Sequence, residues 1–67
     1  MTTLADGITE EIKRVTEILT QYHELPNNAG LIGSMMIKHD LDEATKALAS
    51  GDVIKILQSY EILKSIE

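Results

Sequence analysis

Apolar residues in the first third of the chain recur at alternating steps of four and three: Ile8, Ile12, Val15, Leu19 and Tyr22, with Ile18 and Leu25 widening the stripe. Glu10, Lys13, Glu17, Thr20 and Glu24 fall on the opposite side. This is one face of a 3.6-residue period, and it predicts an amphipathic helix over residues 4–25 with a single buried side. Thr3 or Asp6 can cap its start. Pro26 closes it, because the residue before a proline is pushed out of the α region.

The next segment keeps the period but loses the clean division of faces. Asn27 and Asn28 read as turn and N-cap residues, and a second helix is predicted over 29–49 with Gly33, Ile37, Leu41, Ala44 and Leu48 as its core stripe. Leu31, Ile32 and Met35 fall across the helix from that stripe, where a monomer normally carries polar residues. From Lys38 onward the pattern is conventional, with His39, Asp42, Glu43 and Lys46 outward. Asp40-Leu41-Asp42-Glu43 also fits a capping box, so two shorter helices with a kink near residues 39–40 are an alternative reading of this segment. Ser50-Gly51-Asp52 supplies a left-handed terminus and a fresh N-cap. A third helix over 53–66 carries Val53, Ile54, Ile56, Leu57, Tyr60, Ile62, Leu63 and Ile66, which cover well over half its circumference.

The expected fold is therefore all-α, a single domain over residues 1–67 built as a three-helix up-down-up bundle. Length sharpens this picture. At 67 residues a lone core is close to marginal, and with no cysteine there is no disulfide or thiolate metal site to staple it. Association is the remaining common route to stability. The surplus apolar surface on the second and third helices makes a symmetric homo-oligomer the expected state, with Leu31, Ile32, Met35, Ile62 and Ile66 as the expected partner-binding residues. Monomers rarely leave contiguous apolar patches open, and methionine adapts to irregular partner surfaces.

Charge removes several function classes. A net charge of −5 disfavours nucleic-acid binding, which needs clustered Lys and Arg, and also disfavours anionic membrane surfaces. The would-be recognition helix of a helix-turn-helix, residues 53–66, offers only Lys55 and Lys64 among aliphatics. No run approaches eighteen apolar residues, and the start lacks a signal-peptide pattern, so a cytoplasmic protein is expected.

Candidate chemistry is sparse. His39 and Glu43, four apart with Asp42 or His23 near, fall short of a zinc ligand set and match no metalloprotease pattern, so no metal is expected. The serines sit in no distinctive turn, and no cofactor motif is present, so neither enzyme activity nor a cofactor is expected. One stretch carries more. A helix start with free N–H groups suits an anion, Gly30 and Gly33 would allow close backbone approach, and Tyr22 could stack on a base. Tyr22, Asn27, Asn28, Gly30 and Gly33 are thus the candidate residues of an alternative function, sequestration of a nucleotide-like signal by an oligomer. The rival explanation of the same glycines is close approach of another helix.

Tyr22, the Asn28-x-Gly30-x-x-Gly33 turn, Met36-Ile37, and Ser50-Gly51-Asp52 followed by Leu57-x-x-Tyr60-x-x-Leu63-Lys64 together resemble the short α-helical accessory proteins of tailed phages and prophages. The resemblance covers most of the chain beyond Tyr22. It implies a small non-catalytic protein, in a bacterial or phage-infected cell, that binds and modulates or inhibits a host or defence protein. It carries over no catalytic residues.

Overall fold

The computed structural model describes residues 3–67, and among them the chain is helical with no strand. Helix α1 runs Leu4–His23, a single 3-10 turn covers Pro26–Asn28, α2 runs Leu31–Ser50 and α3 runs Val53–Lys64. Each of the three helices packs against the other two.

The boundaries follow local chemistry. Thr3 caps α1 by accepting from the Asp6 N–H, and the Asp6 carboxylate accepts in return from the Thr3 N–H, so both candidate caps act as one reciprocal box. Leu25 is extended at φ −67°, ψ 138°, as a pre-proline residue must be, and α1 ends two residues earlier than the spacing predicts. The two asparagines adopt left-handed φ values of 56° and 59°, and this reverses the chain before α2 begins. Asn28 is consequently not the N-cap. Gly30 takes that position without a side-chain cap bond, and the helix starts at Leu31. From there α2 is continuous through His39 and Asp40, and Asp40 lies beside the His39 ring instead of capping a new helix. Gly51 is left-handed at φ 72°, and Asp52 accepts from the Ile54 and Lys55 N–H groups to open α3.

The core is aliphatic. Ile8 and Val15 from α1, Ile37, Leu41, Ala44 and Ala47 from α2, and Ile56 and Leu63 from α3 are buried. Ile12, Ile18, Leu19, Tyr22, Leu48, Tyr60 and Ile66 close around them. Ile66, expected at a partner surface, belongs to this closing layer: it lies beyond the end of α3, and the Arg14 guanidinium clamps the chain there by donating to the Leu63 and Ile66 carbonyls. The carbonyls left open at the end of α3 are thereby satisfied from α1.

The helices are staggered. Tyr60 lies against Gly7, and Arg14 reaches Leu63 and Ile66, so α1 and α3 run the same way. About 10 Å of helix separates Val53 from Tyr60, while about 5 Å separates Leu4 from Gly7. The first turn of α3 therefore extends past the start of α1. At the other end α1 continues from Arg14 to His23, past the end of α3, with α2 and the chain at Ile66–Glu67 alongside. An elongated body of 41 × 21 × 17 Å results.

Candidate functional site

Two arrangements correspond to the residues singled out by the sequence. One is the helix start at Asn27–Gly33, the other the outward apolar face of α2.

At the helix start, Tyr22, Asn28 and Gly30 do come together, joined by His23, Leu25, Leu31 and Ser34, around a hollow of about 80 Å³. Sites for small-molecule ligands span roughly 300–1,000 Å³. The glycines have another cause. A Cβ on Gly30 would collide with the Tyr22 carbonyl oxygen, and one on Gly33 would collide with the Tyr22 ring. Both residues are small because the end of α1 crosses the start of α2 there. Gly30→Val is accordingly a folding variant, and cannot serve as a clean probe of ligand approach. Ser34 is buried, and its hydroxyl donates to the Leu31 carbonyl. Asn27 lies in the turn, outside the lining of the hollow, and Gly33 lines a different cleft.

The α2 face is different. Leu31, Ile32 and Met35 are 54%, 75% and 63% exposed, and Met36 matches them at 64%. Ile32 and Met36 are four apart and Ile32 and Met35 three apart, so they form one continuous patch across the first two turns. Met36 was legible from that spacing, because a residue four beyond Ile32 lies on the same face. The core stripe points to α1 and α3, and among the described residues no element covers the opposite side.

A second set of exposed apolar residues lies on α3. Ile62 is about half exposed, on the wall of a groove of about 540 Å³ between α2 and α3 that Lys46, Ala47, Lys55 and Gln58 also line. Val53, Ile54 and Leu57 are exposed on the overhanging end. The spacing placed them in the wide apolar arc of α3. Their exposure comes from the stagger, which has no signature in the sequence.

In all, the chain exposes 4901 Å², against ~4,200 Å² for a compact monomer of this mass.

Among the described residues, no group of three or more His, Cys, Asp or Glu side chains is placed to hold a metal ion, and no helix is long and apolar enough to cross a membrane. His39 and Glu43 share a face with Lys46, which leans to Glu43 at 3.7 Å, a solvated charged surface of the ordinary kind.

Comparison with protein families, curated proteins and solved structures finds no match to this chain.

Proposed function

We propose that the protein is a small non-catalytic binding protein that docks on another protein through the outward face of α2 and associates with itself through the apolar surface of α3. The observation that carries this reading is the contiguous exposure of Leu31, Ile32, Met35 and Met36. Burying one large aliphatic side chain contributes about 1.5–3 kcal/mol, so covering such a patch rivals the whole stability of a domain this small. The resemblance to phage accessory proteins supports the narrower reading, a phage-type modulator or inhibitor of a host or defence protein in the bacterial cytoplasm.

Capture from a bacterial lysate tests it. Wild-type protein retains a partner protein, and the double variant Ile32→Glu with Met35→Glu loses it. Equal capture by both would contradict the assignment of the face. The bound fraction is also examined for small molecules, and a panel of cyclic and linear nucleotides is run in a melting experiment. A ligand at a hundredfold excess over its Kd adds about 2.7 kcal/mol, so a binder is easily seen. The melting temperature is expected not to move. A reproducible rise would give first place to sequestration of a nucleotide-like signal.

A further inference from the structure

We infer that the occupant of the α2 face is a basic amphipathic helix, with one of its arginine or lysine side chains seated in the cleft beside Asp40. The inference rests on the docking role of α2 proposed above and adds the chemistry of the partner. The cleft holds about 260 Å³ and is walled by Tyr22, Met36, Ile37 and Ile66, with Asp40 and Glu67 also on its lining. Met36 belongs both to this cleft and to the exposed patch, so an apolar helix laid over Ile32 and Met36 reaches the cleft with its flank.

Charge selects that flank. The Asp40 side chain is only 30% exposed, and its one ionic neighbour is the adjacent His39 ring at 3.4 Å. Among the described residues, no Lys or Arg side chain pairs with Asp40 or Glu67. Arg14 is committed to Glu11 and to the end of α3, and Lys46 leans to Glu43. A carboxylate withdrawn between apolar walls with no cation of its own focuses negative potential in the cleft. A guanidinium fits this setting well: it can meet the carboxylate with paired N–H donors and stack on a tyrosine ring. Asp40 and Glu67 together make this end of the face acidic, so a helix with acidic flanks would be repelled. Apolar anchors at helical spacing flanked by basic residues are what this surface recognises.

The test uses two synthetic amphipathic helices that share a leucine face, one flanked by arginine and the other by glutamate, followed by fluorescence anisotropy with the full chain. The arginine peptide is expected to bind saturably, and amide NMR shifts are expected to centre on Gly33, Met36 and Asp40. Asp40→Asn should weaken binding roughly tenfold, as loss of one charge-assisted hydrogen bond to a largely buried carboxylate implies. Glu10→Gln makes the same change in net charge on the exposed side of α1 and should leave binding unchanged. Equal effects of the two variants would overturn the Asp40 site, and so would equal binding of the two peptides, although the apolar face would survive as a docking surface. Arginine-peptide binding that is indifferent to Ile32→Glu would instead remove the docking role itself. Failure of both peptides, with a wild-type dimer that Ile32→Glu splits, would show that a second copy covers the face.

Discussion

Helix α1 and the first half of α2 spend their apolar residues in opposite ways. In α1, Ile8 and Val15 are buried and Leu4, Ile12, Ile18, Leu19 and Tyr22 pack half-buried against the core, so no large apolar side chain of that helix stands open. The first two turns of α2 are as apolar, yet Leu31, Ile32, Met35 and Met36 all face away from the core. Hydrophobicity alone thus does not assign a residue to the fold. Angular position does: a residue outside the arc that meets neighbouring helices remains exposed until something else covers it. α1 is a folding element throughout. α2 is a folding element on one side and a candidate binding element on the other.

Substitutions break or sharpen this contrast in a definite order. Leu63→Ala empties a fully buried site and should lower the unfolding free energy by about 2–5 kcal/mol in a denaturant titration. Gly30→Ala should come next, at about 2–3 kcal/mol, because the Tyr22 carbonyl it strikes is backbone and cannot swing aside. Gly33→Ala should cost somewhat less, about 1–2 kcal/mol, and be partly relieved by Tyr22→Leu, since there the obstacle is a side chain. If both glycine variants melt like wild type, the close crossing of α1 and α2 is wrong. Arg14→Gln should cost about 1 kcal/mol, since its side chain is 39% exposed, and should speed amide exchange of Ser65 and Ile66. Smallest of all is Ile32→Ala, expected to change stability by no more than about 0.5 kcal/mol despite removing a large aliphatic group.

Much of the fold was legible because helical periodicity survives in every segment. The α1 stripe, the Gly51–Asp52 break and the Ile37–Leu41–Ala44 core are all read directly from spacing. What spacing did not carry is whatever depends on two helices meeting. That Ile66 folds back onto the core, that Arg14 clamps α3, and that the overhang uncovers Val53 and Ile54 all follow from the stagger between α1 and α3. The glycine pair shows the same limit. Gly30 and Gly33 permit either a ligand or a neighbouring helix, and only the position of Tyr22 decides which of them fills the space. At residues 27–28, two consecutive left-handed asparagines shift the start of α2 past the position that capping preference favours. The capping-box pattern at Asp40–Glu43 lost to helix continuity, since Leu41 and Ala44 bury on the same line as Ile37 and a break would have split that face.

The division of α2 into a folding side and a proposed binding side is tested most directly by the unfolding free energy of the Ile32→Glu, Met35→Glu double variant, measured by denaturant titration beside its capture of partner from lysate. Two glutamates on a solvent-facing side should leave the stability within about 1 kcal/mol of wild type, the sum of two surface changes, while capture is lost. A double variant that unfolds at low denaturant would mean that these residues serve the fold. One that is stable and still captures partner would mean that the face binds nothing.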